Sequence, residues 1–130
     1  MIDTNVDKSN LRQVIIETPS QFEVGLSLAK NIKLEGQFED VIISGMGGSA
    51  WPTNLLRTYC NRLFKDHPKY KPFEIYINRY YSLPPESYST NTLNLISSYS
   101  GTTEEAISSL EEAHAAGLSF IGFSIGLSSS

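Results

Sequence analysis

Two short segments combine glycine with hydroxyl side chains in a pattern that suits the binding of an anion. Residues 45–49 read GMGGS and residues 98–103 read SYSGTT, and each segment follows an apolar run and precedes a helical pattern. The N-terminus of a helix offers unpaired N–H groups and the positive end of the helix dipole, which together stabilise an anion. Glycine lets the backbone approach that anion closely, and the hydroxyl groups add neutral donors. The pattern therefore predicts a phosphate site built without lysine or arginine.

The elements that must position these segments alternate between helices and strands. Such alternation predicts an α/β fold of three layers, in which helices cover both faces of a mostly parallel sheet with about four strands. Between the second and third strands, the Pro84–Pro85 pair forbids regular structure and no helical pattern is present. Apolar spacing predicts strands at 41–44, 73–78, 93–97 and 119–124. It also predicts four helices: one over residues 7–17, one that starts at Ser20, one from Trp51 to Leu63, and one from Glu104 to a C-terminal cap at Gly117.

The predicted topology brings the two segments together. If the first strand is central, the second strand lies on one side of it and the third on the other. The segments after strands one and three then flank the point where strand order reverses, which is where open α/β sheets bind ligands. We expect Gly47 and Gly48 to give backbone access to a phosphate there, and Ser49 to supply a hydroxyl.

Each segment also has a purely structural interpretation, which the sequence leaves open. Residues 45–48 could form only a tight turn between a strand and a helix. Residues 98–103 could form only a capping segment, in which Thr102 or Thr103 is the N-cap and the helix dipole favours Glu104 and Glu105.

Two nucleotide-binding motifs are alternatives to this simple phosphate site. The P-loop requires a Gly-Lys-Ser/Thr ending, and neither segment contains lysine. Gly45, Gly47 and Ala50 match the dinucleotide fingerprint G-x-G-x-x-G/A, which also needs an acidic residue about 20 positions later, at the end of the second strand. Asp66 has that spacing but falls in a predicted connection, and the second segment stays unexplained. A nucleotide-binding domain is therefore the weaker alternative.

Composition excludes several other classes. The chain has 130 residues, a formal net charge of −4 and no basic patch, which argues against nucleic-acid binding. Cys60 is the only cysteine and falls on the apolar side of a helical pattern, so we expect a core residue and neither a disulfide nor a metal site. The polar N-terminus is unlike a signal peptide, and no apolar run approaches the length of a membrane span. These features predict a cytoplasmic protein that does not bind membranes.

Taken together, the two segments resemble those of the sugar isomerase (SIS) domain family, which has a flavodoxin-like fold. The similarity is greatest to the N-terminal SIS domain of bifunctional phosphoglucose/phosphomannose isomerases, which show Gly-Met-Gly-Gly-Ser and Ser-Tyr-Ser-Gly-Asn-Thr-Glu-Glu. Residues 79–84, RYYSLP, resemble the Arg-x-Tyr-x-Leu-Pro segment of that group, and the helical lead-in of residues 1–19 also fits. The resemblance extends from about Ser9 to Ser124.

The resemblance implies a binding site for a hexose 6-phosphate and no cofactor. Gly48 and Ser49 match the first motif, and Ser98, Ser100 and Thr103 match the phosphate-binding Ser-x-Ser-Gly-x-Thr of the second. The sequence departs from the family pattern at four places: Thr102 replaces asparagine, Trp51–Pro52 replaces small residues, and Tyr80 and Ser82 replace acidic residues.

The resemblance also implies an aldose–ketose isomerase that interconverts glucose 6-phosphate or mannose 6-phosphate with fructose 6-phosphate. The family places its catalytic glutamate, histidine and lysine later in a chain with two SIS domains. We expect this chain to be one incomplete SIS domain that lacks the last strand and the second domain. It would form a homodimer, as the family usually does.

No catalytic set is evident in the chain itself. Glu104 and Glu105 fit the first turn of a helix, and His114 lies about ten residues further along, roughly 15 Å from the phosphate end at the rise of an α-helix. We therefore expect the chain to bind a hexose phosphate weakly without turning it over. A regulatory module that senses phosphosugars is the alternative from another functional class.

Overall fold

The computed structural model describes residues 6–125, and the chain divides into two compact units, residues 1–35 and 36–130. The first unit contains two helices, α1 (Leu11–Glu17) and α2 (Ser20–Ala29). Helix α1 begins four residues later than the sequence predicts. The reason is that the Asp7 carboxylate accepts hydrogen bonds from the backbone N–H groups of Leu11 and Arg12, at 2.7 and 3.0 Å. Asp7 thus precedes the helix and caps it, because the first N–H groups of a helix have no partner within it.

The second unit is a four-stranded parallel sheet with one long helix on each face, which confirms the predicted α/β fold. The strand order is β2-β1-β3-β4, so β1 lies between β2 and β3, as the sequence predicts, and β4 pairs with β3 at the edge. The strands are β1 (Asp40–Gly45), β2 (Glu74–Asn78), β3 (Thr92–Ser97) and β4 (Phe120–Phe123), and the helices are α3 (Trp51–Asp66) and α4 (Glu104–Ala115).

Two hydrophobic clusters lie on opposite faces of this sheet, since neighbouring residues of a strand point to opposite sides. On the face under α3, Ile43 and Ile75 pack with Cys60, which confirms the expected core position of the cysteine. Burial raises the pKa of the Cys60 thiol, because the thiolate would lose solvation there. On the face under α4, Ile96 packs with Ala106, Ala113 and Leu83.

The connection between β2 and β3, residues 79–91, contains no α-helix, as the sequence predicts. Its only regular element in the described structure is a 3-10 turn at Pro85–Tyr88. Polar side chains hold this connection. The Asn78 side-chain amide donates to the carbonyl oxygen of Ser82 at 3.2 Å, and the Asn94 amide donates to that of Ser87 at 3.3 Å. These bonds take the place of those that a helix would make within itself.

The end of α4 follows the sequence prediction. Gly117 has a φ of +65°, a left-handed conformation that glycine adopts without a steric penalty. Its N–H donates to the carbonyl oxygen of His114 and the N–H of Leu118 donates to that of Ala113, so the last carbonyl groups of the helix are satisfied. Among residues 6–125, no helix has both the length and the apolar character needed to cross a bilayer.

Candidate functional site

The two segments singled out by the sequence meet at the carboxyl ends of β1 and β3, beside an open cleft of about 770 Å³. The cleft extends to the end of β4 and has more apolar than polar wall. None of its lining residues is charged. They are Gly48, Ser49, Pro52, Ser97, Ser98, Tyr99, Gly122, Phe123, Ser124 and Ile125.

The three glycines of the first segment differ in why a residue without a side chain is needed at each position. A Cβ on Gly45 would lie 3.0 Å from the carbonyl oxygen of Ser97, so glycine there permits close packing of β1 against β3. Gly47 has a φ of +51°, which disfavours any side chain. Gly48 has no positive φ, a Cβ added to it would have no atom within 4 Å, and it lines the cleft. Only Gly48 therefore lacks a structural explanation.

The first segment does not enter α3 directly. Residues Gly47–Ala50 form a 3-10 turn, and α3 begins at Trp51 with Pro52 in its first turn, where the missing N–H costs nothing. The Ser49 hydroxyl oxygen accepts a hydrogen bond from the backbone N–H of Tyr99 at 3.3 Å. This contact joins the two segments, as the predicted topology requires.

The second segment is held by its own hydroxyl groups. Ser98 is only 6% exposed, and its hydroxyl donates to the Thr103 hydroxyl oxygen at 2.9 Å. The Ser100 hydroxyl oxygen accepts from the N–H of Thr102 at 3.2 Å and from its hydroxyl at 2.9 Å. Gly101, with a φ of +74°, makes the turn between them. Thr103 is the residue before α4, and Glu104 and Glu105 fall in the first turn, as the sequence predicts.

The predicted site residues divide into two groups. Gly48, Ser49 and Ser98 line the cleft. Gly47, Ser100 and Thr103 lie in the same two segments, outside the cleft wall.

The sequence interpretation missed the part of the apolar cleft wall that Phe123 and Ile125 contribute. Phe123 and Ile125 belong to the last strand and the residues after it. The only indication of these two residues in the sequence was an apolar run, which fits a buried strand equally well.

A known isomerase is similar in sequence to most of this chain. Over 105 residues the chain is 36% identical to a bifunctional phosphoglucose/phosphomannose isomerase of Caldicellulosiruptor bescii. The chain is homologous to part of that isomerase. The match covers 81% of this chain and 28% of the relative, so the chain spans less than a third of the isomerase's length. No family model matches the chain, and no solved structure matches it significantly.

Similarity to an isomerase directs attention to the groups that could move protons. The Tyr81 hydroxyl donates to the Glu104 carboxylate at 3.1 Å, and this bond, with the negative charges of Glu105 and Glu104, raises the pKa of Tyr81. His114 lies in the last turn of α4 with its ring 6.4 Å from that of Phe120. His67 follows α3 and packs edge-on against Tyr70. Neither histidine lines the cleft.

The residues that a dinucleotide or a metal would need do not line the cleft. Asp66 is the last residue of α3, at the opposite end of the helix from Gly47, and it pairs with Arg62 at 2.5 Å. Strand β2 ends at Asn78, a residue that is 4% exposed and whose side-chain amide is already bonded within the protein. Among residues 6–125, no group of three or more His, Cys, Asp or Glu side chains could hold a metal ion.

Proposed function

We propose that this chain is a phosphosugar-binding domain of an aldose–ketose isomerase, and that its two glycine and hydroxyl segments hold the phosphate of a hexose 6-phosphate. The substrates would be glucose 6-phosphate or mannose 6-phosphate with fructose 6-phosphate, since the similar protein is named for phosphoglucose and phosphomannose. The domain would be of the SIS type, in accord with the motifs at residues 45–49 and 98–103.

The observation that carries the proposal is the Gly48 backbone. Gly45 is needed for packing and Gly47 for its φ, but Gly48 meets no neighbour and lies in the cleft wall. A ligand that approaches the backbone closely explains a glycine at such a position. Hydroxyl groups of Ser49 and Ser98 line the same cleft, those of Ser100 and Thr103 belong to the second segment, and neutral donors can hold a phosphate ester without a basic side chain.

Binding is tested by titrating fructose 6-phosphate and plain fructose into the protein while following backbone amide shifts by NMR. We expect Gly48, Ser49 and Ser100 to respond to the phosphate ester and not to fructose. Glucose 6-phosphate and mannose 6-phosphate should move the same amides, since the phosphate is the shared group. Absence of a selective response at these three residues would show that the phosphate assignment is wrong.

The glycine argument is tested by a matched pair of substitutions. Gly48→Ala should leave the free energy of unfolding within about 1 kcal/mol of the wild type, because its Cβ meets nothing. It should nevertheless weaken binding of fructose 6-phosphate at least roughly tenfold, since the methyl group occupies the approach to the backbone. Gly47→Ala should instead destabilise the fold by about 1–2 kcal/mol, the cost of a side chain at positive φ. If Gly48→Ala binds as the wild type does, the backbone of Gly48 is no part of a ligand site.

The proposal assigns binding and not turnover to this chain. The carboxylate beside the second segment, that of Glu104, is hydrogen-bonded to Tyr81, and His114 lies at the far end of α4. An isomerase assay that couples fructose 6-phosphate formation to a second enzyme should therefore give no rate above the background. Robust isomerisation by the purified chain would overturn this part. Binding without turnover would also suit a phosphosugar sensor, but the similarity to an isomerase favours the binding part of an enzyme.

A further inference from the structure

The first turn of α4 carries negative charge beside the place where the proposed site must hold a phosphate. Glu104 and Glu105 are the first two residues of α4, and Thr103 of the second segment directly precedes them. Among the described residues no side-chain hydrogen bond caps this end of the helix, so its first N–H groups are available to an anion. A carboxylate in the first turn is attracted to the same N–H groups. Glu104 is therefore a competitor, within the chain itself, for a phosphate held there.

Tyr81 holds that carboxylate in another direction. Its hydroxyl donates to Oε2 of Glu104 at 3.1 Å. The direction of this bond is fixed by chemistry, because an ionised carboxylate can only accept. The same bond and the negative charges of Glu105 and Glu104 raise the pKa of Tyr81. The phenol therefore keeps its proton at neutral pH and stays a donor to Glu104.

Tyr81 belongs to a loop that leaves the sheet beside the first segment. Strands β1 and β2 are parallel, and Asn78 at the end of β2 pairs with Ser44, just before the first segment. The Asn78 side chain fixes the loop on both sides of Tyr81. Its amide nitrogen donates to the carbonyl oxygen of Ser82 at 3.2 Å, and its oxygen accepts from the N–H of Tyr80 at 3.3 Å. The phenol thus acts on Glu104 from an anchored support.

We propose that Tyr81 is a positioning residue that holds the Glu104 carboxylate away from the first N–H groups of α4 and so leaves them to the phosphate. Without the phenol hydroxyl, the carboxylate turns to the helix N-terminus, where it occupies the donors and repels the anion. This inference rests on the proposed phosphate site, and it gives a residue outside the two segments control over how tightly they bind.

The first test needs no ligand. It follows the backbone amide shifts of residues 104–106 by NMR from about pH 3 to pH 7, the range in which glutamate side chains ordinarily ionise. In Tyr81→Phe the freed carboxylate should accept from one of these N–H groups, so at least one amide proton should move further downfield than in the wild type. Adding Glu104→Gln should remove this extra shift, which assigns it to Glu104 and not to Glu105. Equal titration of these amides in the wild type and Tyr81→Phe would overturn the proposal.

Tyr88→Phe is the matched control, because it removes the same group from the same connection. Tyr88 donates to Glu112, near the other end of α4. This variant should leave the amides of residues 104–106 and the affinity for fructose 6-phosphate as in the wild type. If Tyr88→Phe has the effects of Tyr81→Phe, they come from loosening residues 79–91 and not from Glu104, and the proposal fails.

The second test is a double-mutant cycle on the affinity for fructose 6-phosphate at neutral pH. Tyr81→Phe should weaken binding roughly fivefold, the order expected when a surface carboxylate moves a few ångströms closer to a doubly charged phosphate. Glu104→Gln removes the charge but keeps an acceptor, so it should bind at least as tightly as the wild type. In the Glu104→Gln background, Tyr81→Phe should change the affinity by less than about twofold.

Two outcomes of the cycle would overturn the positioning role. An unchanged affinity in Tyr81→Phe would mean that the phenol has no influence on the site, and a loss that persists in the Glu104→Gln background would mean that Tyr81 contacts the ligand itself. If the wild type binds no hexose phosphate, the proposed function fails, and the amide titration still decides whether Tyr81 restrains Glu104.

Discussion

The two faces of the sheet are packed with different chemistry against their helices. Under α3 the buried strand residues are all apolar, and the cluster of Ile43, Ile75 and Cys60 is flanked by Val41, Phe64, Phe73 and Leu95. Under α4 the register places polar residues beside isoleucines: Ser44 lies between Asn78 and Ile96, and Asn94 lies beside Ile42. Each helix adds one buried hydroxyl residue, Ser109 from α4 and Thr53 from α3, so the difference between the faces lies in the strands.

The connections between the strands account for this difference. On the α3 face a helix links β1 to β2, and a helix satisfies its own backbone, so the sheet beneath it can be wholly apolar. The other face is crossed by residues 79–91, which lack an α-helix and must find partners for their N–H and C=O groups elsewhere. Asn78, Asn94 and Glu112 supply them, the last by accepting from the N–H of Leu83 at 2.9 Å. Buried polarity is therefore matched to the irregular connection.

A substitution on the face under α3, where the buried strand residues are apolar, should give the largest loss of stability. Ile43→Ala removes a side chain that is 8% exposed in the central strand, and the lost burial with the remaining cavity should cost about 2–5 kcal/mol. Ile43→Val, which removes one methylene, should cost about 0.5–1.5 kcal/mol. Urea unfolding followed by circular dichroism measures both. A loss below about 1 kcal/mol for Ile43→Ala would mean that the α3 face is not the tightly packed one.

A substitution of a buried polar residue on the face under α4 should give a smaller loss of stability, confined to its surroundings. Asn78→Ala removes the amide that binds Ser44, Ser82 and Ser109, and it should cost about 1–3 kcal/mol because their buried partners lose a hydrogen bond. Amide exchange should rise through residues 79–84 more than in α3. The control Asn61→Ala removes an exposed amide from α3 and should change stability by less than about 0.5 kcal/mol.

A uniform rise in amide exchange across the whole sheet in Asn78→Ala would contradict the proposed difference between the two faces of the sheet. It would mean that Asn78 supports the fold as a whole and does not specifically hold the connection that crosses the α4 face.

The fold class and the placement of β2 and β3 on either side of β1 were predictable because they depend on local patterns. Short apolar runs such as 41–44 and 93–97 are too short for helices, and Gly117 marks the end of α4 by a property of one residue. The convergence of residues 45–49 and 98–103 then follows from topology alone, and the contact from the Tyr99 N–H to Ser49 confirms that they meet.

The details of packing were not predictable, because they depend on residues far apart in the sequence. The start of α1 shifted because one carboxylate, that of Asp7, satisfies two N–H groups. The amides of Asn78 and Asn94 look like ordinary strand-end and strand residues until the register places them beneath the same connection. Likewise, Ser98 and Ser100 are equivalent in the sequence motif, and only the structure shows that Ser98 is buried whereas Ser100 is exposed.

The smallest expected effect concerns Tyr88, whose hydroxyl donates to the Glu112 carboxylate and so ties the connection to α4. This bond raises the pKa of Tyr88, because the phenol must keep its proton to make it. A group with a raised folded-state pKa contributes stability that is complete below its unfolded pKa, about 10 for tyrosine, and is lost as pH rises through the folded value.

The difference in unfolding free energy between the wild type and Tyr88→Phe should therefore be constant from pH 7 to about 9 and shrink above about 10. Tyr81→Phe should show the same pH dependence at the other end of α4, because the hydrogen bond to Glu104 raises the pKa of Tyr81 in the same way. Since both pairs are at the surface, each difference should be smaller than that of Asn78→Ala. A difference that grows above pH 10 would mean that the ionised phenol is the stabilised form, and that Glu112 does not hold the connection through Tyr88.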